Sequence, residues 1–313
     1  INLYVNTGLA DDGGLSLSAG AEGVGLYRSE MPFMLRERFP SEAEQHIMYR
    51  QLLNTFYPRR VVMRTLDVGG DKQLPYFPLE EENPFLGWRG IRITLDHPDI
   101  FLMQLRAMLK ASVELNNLSI MFPMIGSLSE VERSLRLVDQ AYEELREEGF
   151  DIKKPPVGIM IELPAAVFQA YELAKRVDFV SVGSNDLIQY ILAVDRNNAR
   201  VAHLYDGFHP AVLRALSEIV KRVHKAGKKV SICGEMAGDP LAVPLLLGMG
   251  YDSLSMSARV LLRMKWVINR FEYATAKDVV KEALAMDDAT EVRCHMEMLL
   301  EELGLGGLIR AGK

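Results

Sequence analysis

Polar side chains follow two apolar runs of this 313-residue sequence, close to the point where each run stops. Glu162 comes directly after VGIMI, and Asn185 and Asp186 follow FVSVG after one serine. Carboxylate oxygens with no histidine nearby in sequence favour Mg²⁺, with Mn²⁺ as the alternative, over zinc. A single polar residue after a strand is about as often a helix N-cap as a ligand, so the prediction depends on what the other runs carry.

Positively charged side chains lie at the ends of such runs or in the segments that follow them. The set consists of Arg28, Arg64, Lys72, Arg89 and Arg196. Guanidinium groups bind the oxygens of phosphate and carboxylate groups through paired hydrogen bonds. Together with a Mg²⁺ site, this set predicts a strongly anionic ligand that carries phosphate.

A thiol completes the set of groups at the strand ends. Cys233 lies in VSICGE, where it could donate a proton to a reacting ligand. The alternative is a small buried apolar residue, which is the commoner role of an isolated cysteine. The second cysteine is Cys294, and two cysteines in a chain of this length argue for a reducing compartment, so we expect a cytoplasmic protein.

Motifs for other chemistries are missing from the sequence. GGDK lacks the spacing of a nucleotide-binding P-loop, and neither H-E-x-x-H nor C-x-x-C occurs. The six histidines form no metal-spaced cluster, and His209 in DGFHPAV is predicted to be a cap or loop residue. The net charge of −6 comes without a basic cluster, and no apolar stretch approaches the roughly 20 residues of a membrane span. We therefore expect neither a nucleic-acid nor a membrane partner.

The elements that must position these groups alternate between short β-rich runs and amphipathic helical segments. The β-rich runs are INLYV, GVGLYR, VVMRTLD, SIMFPM, VGIMIE, FVSVG, VSICGE and SLSMS. Their almost continuous apolar character is typical of parallel strands covered on both faces. The pattern predicts an α/β protein with a (β/α)₈ TIM barrel, in which the strand-end groups meet at one face. The alternative is an open doubly wound sheet, which the lack of G-x-G-x-x-G after the first run disfavours.

One domain is expected, with the barrel over about residues 1–270. The helical segments 41–56 and 127–148 open with Ser followed by Glu in the first turn, as capped helices do. Residues from about 275 to 303 predict two extra helices, followed by a loose glycine-rich tail. The first run begins as a strand already under way, so we expect the chain to be part of a longer protein.

Several long motifs occur together and identify a family resemblance. In order over about residues 1–270, the sequence contains GVGLYRSEMPFM, RTLDVGGDK, NPFLGWRGIRI, MFPMI, GIMIELPAA, VGSNDLIQYILAVDR, ICGEMAGDP and SLSMS. The set resembles the phosphoenolpyruvate-binding C-terminal domain of Enzyme I of the bacterial phosphotransferase system. LYRSEMPFM and DGFHPAV are closer to its nitrogen-branch paralogue than to the sugar-transport enzyme.

The resemblance implies a role for each strand-end group. Glu162 and Asp186 correspond to the family's Mg²⁺ ligands, and Asn185 to the amide that binds the substrate carboxylate. Cys233 corresponds to the acid that protonates the enolate carbon. The substrate-binding cations correspond to Arg28, Arg64, Lys72 and Arg196, with Arg89 as the arginine that supports them.

The resemblance also implies partners. The family's phosphoryl acceptor is a histidine on a separate N-terminal domain, and none of the histidines here stands in the corresponding motif. The implied function is Mg²⁺-dependent transfer from phosphoenolpyruvate to that phosphohistidine domain, with release of pyruvate. An HPr-like phosphocarrier and a homodimer are implied as well. The alternative is a non-catalytic module that binds phosphoenolpyruvate for sensing or dimerisation, and the presence of every charge in the set favours catalysis.

Overall fold

A closed parallel barrel forms the centre of the protein. The computed structural model describes residues 1–8 and 13–310, and among them eight strands pair in sequence order, with the last pairing to the first. The strands are β1 Asn2–Thr7, β2 Val24–Arg28, β3 Val61–Arg64, β4 Leu118–Phe122, β5 Val157–Ile161, β6 Phe179–Gly183, β7 Lys229–Cys233 and β8 Ser253–Met256. The predicted (β/α)₈ barrel is confirmed, and the open sheet is wrong.

Helices cover the outside of the barrel. They are α1 Gly13–Ser18, α2 Glu30–Met34, α3 Glu42–Phe56, α4 Ile91–Asp96, α5 Pro98–Ala111, α6 Leu128–Glu147, α7 Pro164–Phe168, α8 Ala170–Ala174, α9 Ser184–Leu192, α10 Pro210–Lys225, α11 Val243–Met249, α12 Ala258–Ile268, α13 Tyr273–Ala285, α14 Ala289–Glu302 and α15 Gly306–Arg310. Short 3₁₀ helices span Ala202–Leu204 and Glu235–Gly238.

The predicted helix starts are confirmed in atomic detail. Ser41 and Ser127 each accept a hydrogen bond from the backbone of a glutamate three residues later, and each glutamate side chain binds back, which completes a capping box. His209 is the N-cap of α10, where its Nδ1 accepts a hydrogen bond from Ala211 N at 3.1 Å. The residues that cap each helix lie within a few positions of its start, which explains why these helix starts could be predicted from the sequence alone.

Buried side chains from six of the strands pack together inside the barrel. Its interior contains a cluster of buried side chains, namely Leu26, Val62, Met121, Met160, Phe179 and Cys233. A much larger core lies between the strands and the surrounding helices. Because both faces of each strand are covered, the strands needed the continuous apolar runs seen in the sequence.

The C-terminal part corrects one expectation. Helices α13 and α14 confirm the two predicted extra helices, but the loose tail is wrong for residues 306–310, which form α15. Leu305 is buried, Leu308 packs against the core, and Arg263 Nη2 donates to Leu308 O at 2.5 Å, so this end is held by tertiary contacts. Residues 311–313 lie outside the described part. Within that part, no helix is both long enough and apolar enough to cross a membrane.

Candidate active site

The C-terminal ends of the strands surround a cavity of about 350 Å³. The predicted side chains that line it are Arg28, Arg64, Lys72, Glu162, Asn185, Asp186, Arg196 and Cys233. Arg89 is the exception, since it lies behind the cavity wall with 0% of its surface exposed. The barrel therefore brings together groups that are spread over more than 200 positions of the sequence.

Two buried carboxylates hold the cations on one side of the cavity. Arg64 Nη2 pairs with Glu30 and lies 3.1 Å from Asp67 Oδ2. Lys72 Nζ pairs with Asp67 and lies 3.2 Å from Glu30 Oε1. The sequence alone assigned no role to Asp67 or Glu30, although Asp67 ends the run VVMRTLD and Glu30 follows Arg28 by two residues after an apolar run.

Arg89 supports the cavity from behind through Asp186 and through Asp67, which it shares with Arg64 and Lys72. Its Nη1 and Nη2 donate to Asp186 Oδ1 and Oδ2 at 2.9 and 3.1 Å, and its Nε donates to Asp67 Oδ1 at 3.3 Å. Gly90 makes this approach possible, because its φ is +56° and a Cβ there would lie 3.1 Å from Asp67 Oδ1. The guanidinium thus fixes the orientation of Asp186 at the cavity.

The two predicted metal ligands have opposite electrostatic environments. Burial, followed by repulsion from Asp186 and Asp67, raises the pKa of Glu162 to about 7. Burial opposes ionisation of Asp186 too, but Arg89 and then Arg196 outweigh it and lower its pKa. Glu162 Oε2 accepts a hydrogen bond from Met124 N at 2.8 Å. Negative charge on Glu162 is therefore under-compensated by the protein.

This donor set fits a magnesium ion. Among the described residues, no group of three or more His, Cys, Asp or Glu side chains could enclose a metal. Mg²⁺ does not need such a cage, because it is commonly held by one or two carboxylates together with substrate phosphate oxygens and water. A cation beside Glu162 would also supply the missing positive charge. Gly183 leaves room for this carboxylate, since a Cβ there would lie 2.6 Å from Glu162 Oε1.

Donors for an anionic ligand face the other side of the cavity. Asn185 Oδ1 accepts a hydrogen bond from Glu235 N at 3.0 Å, which leaves its amide NH₂ as the donor end. Arg196 returns to the cavity after α9 because its backbone N donates to Gln189 Oε1 at 3.2 Å. Within the described chain, Arg196 Nη1 and Arg64 Nε are buried without a hydrogen-bond partner. Unsatisfied buried donors are costly, so they favour an anionic ligand.

Cys233 lies at the same cavity with its proton held in place. It is 2% exposed, and its Sγ donates to Val182 O at 3.4 Å. Burial, followed by the charge of Glu162, raises the pKa of the thiol to about 11, so the group is protonated at neutral pH. A protonated thiol on the cavity wall can act as an acid. Cys294, by contrast, is exposed on α14.

Comparisons with known proteins identify the family of this chain. Residues 1–273 match the family described as the PEP-binding domain of PEP-utilising enzymes. A relative from Escherichia coli (strain K12), "Phosphoenolpyruvate-dependent phosphotransferase system", is 52% identical over 313 residues, which are 100% of this chain and 42% of that protein. A "Phosphoenolpyruvate-protein phosphotransferase" from Geobacillus stearothermophilus is 45% identical over 294 residues, which are 93% of this chain and 51% of that protein. The chain thus spans about half the length of the curated relatives it matches.

A solved structure supports the fold alone. It is an HpcH/HpaI aldolase/citrate lyase family protein from Burkholderia cenocepacia J2315, with a TM-score of 0.51 and 17% sequence identity. The alignment covers 90% of this chain and 93% of that one. At this identity the likeness carries no information about the chemistry of the cavity.

Proposed function

Because this chain belongs to the PEP-utilising enzymes and matches their PEP-binding domain, we propose that it binds phosphoenolpyruvate and provides the donor half of a phosphoryl transfer to histidine. The observation that carries the proposal is a single small cavity with cations, two carboxylates, an amide donor and a protonated thiol on its wall. The cations and the amide match the phosphate and the carboxylate of phosphoenolpyruvate, the thiol matches its enol carbon, and the two carboxylates match a metal ion bound beside the phosphate. The domain assignment is one phosphoenolpyruvate-binding barrel with extra C-terminal helices.

Phosphate recognition is assigned to the cations. Arg28, Arg64, Lys72 and Arg196 would surround the phosphate, and Asn185 would donate to the carboxylate. Arg89 would act from behind by orienting Asp186. Such a constellation contributes positioning and charge neutralisation, which are the main requirements of phosphoryl transfer.

A magnesium ion is the proposed cofactor, with Mn²⁺ as the alternative. Glu162 and Asp186 would hold it, and when bound it would neutralise charge on the phosphoryl oxygens. Glu162 must be ionised to bind the ion, and its pKa of about 7 makes this a proton-coupled event near neutral pH.

Cys233 is assigned the proton transfer to carbon. When the bond between phosphorus and the enol oxygen breaks, the phosphoryl group goes to a histidine nitrogen, and the electron pair stays on the enolate. The enolate carbon then takes the thiol proton, which gives pyruvate and a thiolate that water must reprotonate. The high pKa of Cys233 keeps the proton available until the enolate forms.

The acceptor and the assembly are proposed from the relatives. The barrel segment fills 42% of the Escherichia coli relative and 51% of the Geobacillus one, which supports a longer protein with an N-terminal phosphohistidine domain and an HPr-like phosphocarrier partner. The resemblance to the nitrogen-branch paralogue implies an additional N-terminal sensory domain, and the relative of which this chain fills the smaller share is also the more similar one. Both points support the nitrogen branch and a role in nitrogen regulation.

A homodimer is proposed because late helices present large apolar side chains to solvent, namely Leu262, Trp266, Tyr273 and Met298. Light scattering at micromolar concentration should give about twice the mass of the chain. A mass equal to one chain would contradict the dimer.

Isothermal titration with phosphoenolpyruvate, with and without Mg²⁺, tests the binding function. Heat that requires Mg²⁺ is the expected result, and no binding under either condition would refute it. Adding the phosphohistidine domain of the full-length protein then tests catalysis through pyruvate formation. Tight binding without pyruvate would favour the alternative, a sensing or dimerisation module.

A further inference from the structure

Gln104 is a buried amide outside the cavity that contacts two of the segments from which the cavity is built. It lies on α5 and is 1% exposed. Its Oε1 accepts a hydrogen bond from Leu66 N at 2.8 Å, and its Nε2 donates to Ser29 Oγ at 3.1 Å and to the Tyr49 hydroxyl at 3.2 Å. A backbone N–H can only donate, so Leu66 fixes which end of the amide is the oxygen.

Both contacted segments carry buried carboxylates of the site. Ser29 directly precedes Glu30, and Leu66 directly precedes Asp67. These are the two carboxylates that hold Arg64 at the cavity. The ladder pairs β2 and β3 as far as Arg28 and Arg64, and one side chain from an outer helix bridges the two segments that follow, where the buried carboxylates lie.

Strand and helix hydrogen bonds do not account for the Leu66 backbone N–H or for the Ser29 side chain. β3 ends at Arg64, so Leu66 N lies beyond the strand and, without Gln104, would be a buried donor with no partner. Ser29 is the N-cap residue of α2, yet its side chain makes no capping hydrogen bond. Its hydroxyl accepts from Gln104 instead. The amide supplies contacts that the local backbone does not.

We infer that Gln104 is a positioning residue, which fixes the segments that follow β2 and β3 relative to each other and thereby places Glu30 and Asp67 around the Arg64 guanidinium. The inference rests on the proposed function only for the identity of the ligand. Displacing groups in such a site by about 1 Å can cost about 10²-fold in rate or binding.

The same hydrogen-bond chain provides a matched control. The Tyr49 hydroxyl donates to Gln45 Oε1 at 3.0 Å, and Gln45 Nε2 donates to Pro40 O at 2.9 Å. Gln45 is 2% exposed, and these hydrogen bonds stay within residues 40–49. It is thus a buried amide of the same type that does not touch the strand ends.

Binding measurements on Gln104→Met and Gln45→Met test the inference. Both variants lose a buried amide, so both should show a lower Tm. Only Gln104→Met should weaken Mg²⁺-dependent phosphoenolpyruvate binding, by about 10- to 100-fold, and Ser29→Ala should shift it the same way by a smaller factor. Unchanged affinity in Gln104→Met, or an equal loss in Gln45→Met, would overturn the positioning role.

A ligand-free readout separates this inference from the proposed function. Arg64 Nε is buried and has no hydrogen-bond partner among the described residues, so its ¹⁵N resonance reports where the guanidinium lies. This resonance should shift relative to the parent protein in Gln104→Met and should be unchanged in Gln45→Met. If the parent protein does not bind phosphoenolpyruvate, only the proposed function is refuted. If the Arg64 Nε resonance does not shift in Gln104→Met, the role of Gln104 is refuted. If Gln104→Met does not fold, Ser29→Ala must shift the resonance or the inference fails.

Discussion

Arg60 and Arg64 lie at opposite ends of one short strand, and the protein surrounds their charges in opposite ways. Arg60 directly precedes β3 at the N-terminal mouth of the barrel. Its guanidinium lies 4.3 Å from the centre of the Phe179 ring, and its Nε donates to Ser119 Oγ at 3.0 Å. Burial lowers the pKa of Arg60, and no described carboxylate forms a salt bridge with it.

At the C-terminal mouth, burial opposes the charge of Arg64 as well. The carboxylates of Asp67, Glu30 and Glu162 outweigh that effect and raise the pKa of Arg64. The N-terminal arginine thus packs over an aromatic ring, whereas the C-terminal one is the centre of a buried ionic cluster. Buried ion pairs are a poor way to stabilise a fold, so the difference supports the C-terminal mouth as the ligand-binding end.

The largest expected difference between the two mouths is in ligand binding. Glu162→Gln and Asp186→Asn each remove a buried charge that the proposed metal site requires, which should cost about 2–5 kcal/mol in binding. Mg²⁺-dependent phosphoenolpyruvate binding should fall below detection by calorimetry while circular dichroism stays native. Asp178→Asn, at the N-terminal mouth, is the control and should bind like the parent. Persistent Mg²⁺-dependent heat in both site variants would refute the metal assignment.

A second difference concerns turnover rather than binding. Cys233→Ala should bind phosphoenolpyruvate nearly as well as the parent but form pyruvate about 10²- to 10⁴-fold more slowly when the phosphohistidine domain is supplied. The reason is that the enolate loses its proton donor at carbon. Cys294→Ala on the exposed face of α14 is the matched control and should keep full turnover. Equal rates in the two variants would make Cys233 a structural residue.

The third prediction compares how much each arginine contributes to the free energy of unfolding. Arg64→Met leaves Glu30 and Asp67 buried with less positive charge, and breaking a buried pair costs about 3–5 kcal/mol. Arg60→Met removes only one hydrogen bond and a contact with an aromatic ring, worth about 1–2 kcal/mol. Urea unfolding of both variants measures the two losses. Similar losses would mean that the two mouths do not differ in the way proposed.

Local features of the fold were predictable because the residues that cause them are close in sequence. β6 has the predicted bounds of 179–183, and the helix caps at Ser41 and Ser127 follow from their own first turns. The predicted strand VVMRTLD continued to residue 67, whereas β3 ends at Arg64. Thr65 N still donates to Met121 O at 2.9 Å, and Asp67 pairs with Arg64, Lys72 and Arg89 instead of continuing the strand.

Pairings between distant segments could not be predicted. Arg89 and Asp186 are 97 positions apart, and their contact depends on how residues 65–90 fold back over the barrel. Nothing in the apolar periodicity reports that path. Gln104 is similar, since a glutamine in the middle of an amphipathic helix gives no sign that it will bind two strand ends. The side chains that line the cavity could therefore be selected from the sequence, but the hydrogen bonds and ion pairs that hold them in place could not.

The smallest expected effect is a pH dependence that only the C-terminal mouth should show. Glu162 has a pKa raised from 4.5 to about 7, so the folded protein binds this proton more tightly than the unfolded chain does. Stability should therefore fall as pH rises from about 4.5 to about 7, by at most about 3 kcal/mol in the absence of metal.

The lowered pKa values of Asp67 and Asp186 act in the opposite direction, but their contribution is lost only below about pH 4, outside this window. Glu162→Gln should remove the decline in the free energy of unfolding, measured by urea titration in EDTA at a series of pH values. Glu235→Gln changes an exposed carboxylate at the same mouth and should leave the decline in place. A parent whose stability is flat from pH 4.5 to 7 would show that the charge of Glu162 is already compensated, and the argument for a cation beside it would lose its electrostatic basis.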